Sequence, residues 1–414
     1  MSGGIQQNFM TLPKTRIEAF LSPLSSPASS LHSPQKMLPL SSGVLRPTCI
    51  RVLAATIIFT VFVQIVSFAR PSLPPAERFH STPNSLSVPL PRPRPLPVAQ
   101  FKSYGSTKCL PSIAPELLRR SVEKHATCSK YASFSTSQTR IATVTAHFDG
   151  AGGNEHYTKA FTTHLEYALV HGTEVHVLCN KMIDDLWNKP AFILDLLLRE
   201  MIKPESKRLE WLVWVDRDTL ILDQCRPVTS FLPSSTSHAP LAKWWRRSED
   251  PNEPPLEVNL LATNDMNGLN NGVFLLRVSS WSISLFTAIL AYRHYNPNVK
   301  LKFTEQSAME LVLKDDRFKN QVQFVPQHWF NTYSYGGPKE FVERNDSKEE
   351  GMEDVHARRG DWLIHFAGNP HKDKALNGWT EMLEGIEDVW EEGRVQRDVS
   401  GEVRQFWEEK GFRR

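Results

Sequence analysis

Apolar and polar positions follow more than one rhythm along this chain, and each change of rhythm marks an element. From Val52 to Ala69 the sequence VLAATIIFTVFVQIVSFA carries no charge and is bracketed by Arg51 and Arg70. As a helix this run spans roughly 27 Å, close to the hydrocarbon thickness of a bilayer, and predicts a single transmembrane helix. A buried core helix is the competing reading; a cleaved signal peptide would begin nearer the N-terminus. Lys36, Arg46 and Arg51 before the span, against Arg70 and Arg78 with Glu77 after it, tilt the charge bias slightly toward a cytoplasmic N-terminus. That type II orientation puts everything beyond Arg70 in the lumen.

The flanks lack periodicity. Residues 1–51 are rich in Ser, Pro and Leu and predict a disordered cytoplasmic tail, with 52–69 as the span. Residues 70–138 read as a proline-rich stem and lead-in, because the run PLPRPRPLP favours extended polyproline backbone. Beyond it the rhythm becomes regular. Ile141–Thr145 reads as a strand, His147–Asn154 as a glycine-bearing loop, Tyr157–Val170 as an amphipathic helix and Glu174–Leu178 as a second strand. Trp211–Val215 is a continuous apolar run, as in a strand buried on both faces. Leu260–Thr263 and Val273–Leu276 read as strands joined by a polar loop. Ser280 would cap a helix over Trp281–Tyr292, and Glu305–Leu313 forms a shorter one. From Trp379 to Val389 apolar residues line one face of a long closing helix. Alternating strands and helices predict an α/β domain with a mostly parallel mixed sheet over 139–378, and 379–414 packing on it as a C-terminal helix.

Composition adds exclusions. A net charge of +3 over 414 residues is too balanced for a dedicated nucleic-acid binder. Five cysteines are too few for a disulfide scaffold. Cys109 and Cys128 precede the regular core and could pair with each other in an oxidising lumen, whereas Cys179 and Cys225 follow apolar strands and read as packed thiols. Asn345-Asp346-Ser347 is a glycosylation sequon compatible with lumenal exposure. The glycine loop has neither GxGxxG nor a Walker ending, which argues against dinucleotide and P-loop chemistry.

The candidate chemistry centres on Asp216-Arg217-Asp218, directly after Trp211–Val215. Ligands of open α/β sheets gather at the carboxyl ends of strands, and two carboxylates there offer hard oxygens to Mn²⁺ or Mg²⁺. Taken alone the D-x-D spacing is weak, since solvated turn carboxylates produce it often. His365, inside the apolar run Trp362–Gly368, could complete the metal shell or be an ordinary core histidine.

Taken in order, Trp187-Asn188-Lys189-Pro190, WLVWVDRDTLIL, TNDMNGLNNGVFLLRVSSW, Glu305-Gln306-Ser307-Ala308, Val325-Pro326-Gln327 with Phe330-Asn331-Thr332-Tyr333, and IHFAG resemble glycosyltransferase family 34 from about Arg140 to about Gly368. That family includes fungal α-galactosyltransferases, mannosyltransferases of the mannan pathway and plant xyloglucan xylosyltransferases. The resemblance implies a GT-A fold, a UDP- or GDP-sugar donor, manganese, and transfer with retention to a glycan or glycoprotein acceptor. It also implies a Golgi membrane location and partnership in a Golgi transferase complex. By motif, Asp216, Asp218 and His365 correspond to the metal ligands. Asp265, Asn267, Gly268, Asn270, Asn271, Gly272 and Lys189 correspond to the donor-sugar cradle, and Glu305 and Gln306 to the pair beside the anomeric carbon.

Two mechanisms fit retention: a covalent glycosyl intermediate, or entry of the acceptor hydroxyl on the leaving-group face with Gln306 steadying the cationic sugar. The second needs no protein nucleophile. This chain departs from the family at Arg217, where small or uncharged residues are usual, and at Met266, where Trp is. It departs again at Asn369-Pro370-His371-Lys372, which leaves Lys372 or Lys374 as the cation for phosphate. The excursion Ser234–Glu257, with Trp244 and Trp245, reads as an acceptor loop or as a mobile surface loop. A xylosyl- or glucosyltransferase, a catalytically silent subunit and a metal-dependent phosphohydrolase are the competing functions.

Overall fold

The computed structural model describes residues 98–106, 109–131, 139–148, 154–233, 245–246, 256–345 and 350–412, all within the compact unit Pro89–Arg414. The segment 52–69 and most of the proposed acceptor loop lie outside the described residues. Among the described residues no helix is long and apolar enough to cross a membrane.

The core is a seven-stranded mixed sheet. Its strands are β1 (Gln100–Tyr104), β2 (Ile141–Ala146), β3 (Glu174–Leu178), β4 (Trp211–Val215), β8 (Leu260–Asp265), β9 (Gly268–Arg277) and β10 (Val322–Phe324), in the order β1-β3-β2-β4-β9-β8-β10. Short pairs flank it: β5 (Thr219–Ile221) with β11 (Leu363–His365), and β6 (Trp245–Arg246) with β7 (Leu256–Glu257). β9 runs antiparallel to both neighbours and the other neighbouring pairs of the large sheet are parallel, as the mostly parallel mixed sheet requires. The sheet takes in β1, from within the 70–138 lead-in.

Helices cover the faces: α1 (Pro115–Tyr131), α2 (Glu155–His171), α3 (Asn188–Met201), α4 (Ser280–Tyr295), α5 (Thr304–Val312), α6 (Pro338–Glu343), α7 (Lys372–Gly385) and α8 (Ser400–Glu409). β4 explains why both faces need cover. Its Leu212 and Trp214 join one apolar cluster with Phe192 of α3, Phe286 of α4 and Met309 of α5, while Trp211, Val213 and Val215 join another with Phe231, Trp329 and Trp407. Each such side chain contributes about 1.5–3 kcal/mol by leaving water. α2 stops at Gly172, whose left-handed φ of 67° lets its N–H reach Ala168 O at 2.8 Å.

Four expectations are corrected. Cys109 is bonded to Cys179 and Cys128 to Cys225, not Cys109 to Cys128. Parallel pairing of β1 with β3 brings the chain just after β1 to the end of β3, and α1 carries Cys128 to the exit of β5. The cap of α4 is Ser279, whose Oγ accepts from Ser282 N. The polar loop expected between Thr263 and Val273 is mostly strand: β9 starts at Gly268 and only Met266 and Asn267 form the turn. The long helix expected over Trp379–Val389 ends at Gly385, and α8 follows as a separate helix.

Candidate metal and donor site

The site forms where β4 ends. Asp216 N donates to Gly272 O at 2.8 Å, which ties the D-x-D turn to β9, and Thr219 Oγ1 donates to Asp216 O at 2.7 Å. β5 then pairs with β11 so that His365 faces Thr219, and Phe366 N donates to Asp218 O at 2.9 Å. This pairing carries His365 to the two aspartates. Ligand atoms of Asp216, Asp218 and His365 all lie within 4.8 Å of one another, and His365 Nε2 is 3.5 Å from Asp218 Oδ1.

The imidazole is oriented by a chain of hydrogen bonds that starts at the backbone. Gly272 N can only donate, so the Asn270 atom at 2.9 Å is Oδ1. Asn331 Nδ2 donates to that oxygen at 3.0 Å and to Thr263 Oγ1 at 2.9 Å, which leaves Asn331 Oδ1 facing His365 Nδ1 at 2.9 Å. Nδ1 therefore carries a proton and donates to Asn331, which turns Nε2 toward Asp218. Gly272 is required by space: a Cβ there would lie 2.1 Å from His365 Cε1. Two carboxylates and an imidazole so arranged suit a divalent cation such as Mn²⁺.

Two lysines balance the carboxylates. Lys372, the first residue of α7, has its Nζ 2.6 Å from Asp218 Oδ2. Burial would raise the Asp218 carboxyl, but His365 and then Lys372 outweigh it and hold it well below the usual carboxylate range. Lys189, only 8% exposed, lies with its Nζ 3.0 Å from Asp216 Oδ1 and 3.3 Å from Glu305 Oε1. Burial alone would lower its ammonium, yet Asp216 and Glu305 raise it above its ordinary value.

The remaining expected residues fall into two groups. Asp265, Asn270, Asn271, Gly272, Glu305 and Gln306 are linked: Asn270 Nδ2 donates to Asp265 Oδ2 at 2.9 Å, and Asn271 N donates to Gln306 Oε1 at 3.1 Å. Asn267, by contrast, is an exposed turn residue and Gly268 opens β9 at the hairpin tip; their tie to the group runs through Asp265, whose Oδ1 accepts from Asn267 N at 2.6 Å. Tyr333 and Asn331 lie in the family-resembling segments, where the motif assigns them no role, and the structure makes both central. Tyr333 OH donates to Asp265 Oδ2 and accepts from Asn270 Nδ2, each at 2.6 Å, and burial together with Asp265 raises its phenol well above the ordinary value. Trp214 Nε1 donates to Asp216 Oδ1 at 2.7 Å, an interaction that no spacing rule announces. Arg217 leaves the group and stacks over Tyr157 at 4.0 Å.

Residues 139–374, more than half of the chain, match the galactosyl transferase GMA12/MNN10 family, glycosyltransferase family 34. The chain belongs to this family. Among its relatives, the probable alpha-1,2-galactosyltransferase gmh1 of Schizosaccharomyces pombe is 22% identical over 55% of this chain and 67% of its own length. Xyloglucan 6-xylosyltransferase 1 of Arabidopsis thaliana is 28% identical over 39% of this chain and 31% of its own. A solved glycosyltransferase involved in the glycosylation of the major capsid of PBCV-1 aligns with 59% of this chain and 99% of its own, at 15% identity and a TM-score of 0.38. Within the family 34 match lie all the metal-candidate and cradle residues described above, including Lys189 and Lys372.

Proposed function

We propose that this chain is a metal-dependent, retaining hexosyltransferase with a GT-A-type catalytic domain, moving galactose or mannose from a UDP- or GDP-sugar to a glycan or glycoprotein acceptor. The observation that carries the reading is the convergence of Asp216, Asp218 and His365 within 4.8 Å, beside a strand of buried asparagines, in a member of family 34. A divalent cation held by these three would neutralise charge on the departing nucleoside diphosphate. Lys372, half-buried at the start of α7, supplies a cation to the same phosphates. Asp265, Asn270 and Asn271 offer hydrogen-bonding groups to sugar hydroxyls, and Gly272 permits close backbone approach.

The acceptor hydroxyl enters on the leaving-group face and passes its proton to the departing phosphate. Gln306 Oε1, with one lone pair on Asn271 N–H, turns the other to the positive charge developing at the anomeric carbon. Glu305, buried against Lys189, faces the Asn271 side-chain amide at 3.5 Å and needs no nucleophilic role. Two disulfides support an oxidising compartment, and with the apolar 52–69 segment they favour a type II Golgi membrane enzyme with 139–378 as its lumenal catalytic region.

A panel of UDP- and GDP-sugars incubated with the full-length protein and Mn²⁺ tests the reading by donor turnover. The expected result is metal-dependent hydrolysis or transfer of a galactosyl or mannosyl nucleotide. Preference for a xylosyl or glucosyl donor would replace the galactose-or-mannose assignment, and turnover of none would favour a silent subunit of a transferase complex.

A further inference from the structure

Lysine is rarely buried without a task, because desolvating an ammonium and freezing a four-carbon stem both cost free energy. Lys189 Nζ answers that cost with four acceptors from three separate segments. Besides Asp216 Oδ1 and Glu305 Oε1, it donates to Asn271 O at 3.1 Å and to Asn271 Oδ1 at 2.9 Å. These acceptors belong to the end of β4, the start of α5 and the middle of β9.

The contacts fix orientations as well as charge. Asp216 Oδ1 receives both Lys189 and Trp214 Nε1, so one carboxylate oxygen is held by two donors and the other lies outside both contacts. With both of its oxygens turned to the ammonium, Asn271 directs its amide nitrogen toward Glu305 Oε1 at 3.5 Å. The backbone is constrained at both approaches. Among the described residues, the non-glycine residues with positive φ are Asp185, at 46°, and Thr304, at 43°. Asp185 opens the turn that delivers Lys189, and Thr304 immediately precedes Glu305. Such conformations cost on the order of 1–3 kcal/mol each and persist where surrounding structure enforces them. Next to Lys189, Asn188 clamps that turn: its Oδ1 accepts from Met182 N at 2.6 Å and its Nδ2 donates to Asp185 O at 2.6 Å.

We propose that Lys189 is a positioning residue, whose ammonium locks the Asp216 carboxylate and the Asn271–Glu305 pair into the mutual arrangement that cation and donor binding require. This rests on the metal reading above. The role differs from direct contact with the donor sugar, because the ammonium is buried and already faces four acceptors of the protein itself. A bare Coulomb view gives the opposite sign: a nearby ammonium repels a divalent cation, so its removal would tighten metal binding.

Mn²⁺ titration of the full-length protein, followed by electron paramagnetic resonance together with the Tm, separates the two. Lys189→Met alone strands the buried Glu305 carboxylate and the half-buried Asp216 and would disrupt the site, so it is combined with Glu305→Gln, which restores the local charge. Glu305→Gln by itself is the reference against which the double variant's Mn²⁺ affinity is read. The double variant should melt within about 5 °C of wild type. It should also bind Mn²⁺ at least about tenfold more weakly. Double-variant binding as tight as that of Glu305→Gln overturns the positioning role, and unfolding of the charge-balanced variant overturns it in favour of a purely structural one. Absence of Mn²⁺ binding by the wild type defeats the metal reading and this proposal with it.

Discussion

Two of the regions where the described residues bury charge have partners that differ in kind. At the end of β4, charges are met by side chains from distant segments: Lys189 by Asp216 and Glu305, Asp218 by His365 and Lys372. In the second region, around 341–361 and 394–397, buried guanidinium groups are met largely by backbone carbonyls. Arg359 donates to Arg394 O, Phe341 O and Val342 O at 2.8–3.1 Å, and Arg344 donates to Ala357 O at 3.0 Å. Burial and the neighbouring Arg394 and Arg344 push the Arg359 guanidinium below its ordinary value, so like charges are tolerated there in exchange for bonds to the main chain. Side-chain partners can be exchanged for a ligand's groups, whereas carbonyl partners nail the chain to itself. Burial of a charge is therefore no sign of function until its partners are known.

The comparison breaks if variants in the two regions fail in the same way. The largest effect is expected at Asp218→Ala, with turnover reduced at least about a thousandfold and the Tm little changed, because the phosphate-side charge stabilisation is removed. A purified variant with wild-type turnover would count heavily against the site. Arg359→Met should do the reverse, lowering stability by roughly 3 kcal/mol in urea melts as three carbonyls lose their donor, while the folded fraction keeps its Mn²⁺ affinity. Gly272→Ala drives a methyl group into the His365 ring and should weaken Mn²⁺ binding about 10–100-fold with a small loss of stability. Arg217→Ala sharpens the distinction from the other side. The residue sits inside the acidic motif yet stacks on Tyr157, so its loss should cost about 0.5–1 kcal/mol of stability and leave Mn²⁺ affinity unchanged.

What could be read from the sequence follows the reach of each signal. β4 was legible because a strand buried on both faces is apolar at every position, and Trp211–Val215 is. Only the second half of β9, from Val273, was legible, because Asn270, Asn271 and Gly272 look like a loop; their polar groups are satisfied across the sheet by Asn331, Lys189 and Gln306, which local periodicity cannot see. His365 could be named as a metal candidate but not brought to Asp218, since the register of β11 on β5 does that. The cysteine pairing failed for a similar reason. Sequence order put Cys109 near Cys128, while sheet order put it beside Cys179.

The space denied at Gly272 also has a genetic side. Every single-base change that replaces a glycine codon encodes a residue with a Cβ or a stop, and here even the smallest side chain overlaps the imidazole. No gradual substitution route leads away from this position while His365 stays where it is; the histidine and the glycine would have to change together, which makes the pair a fixed point in any attempt to diversify the enzyme.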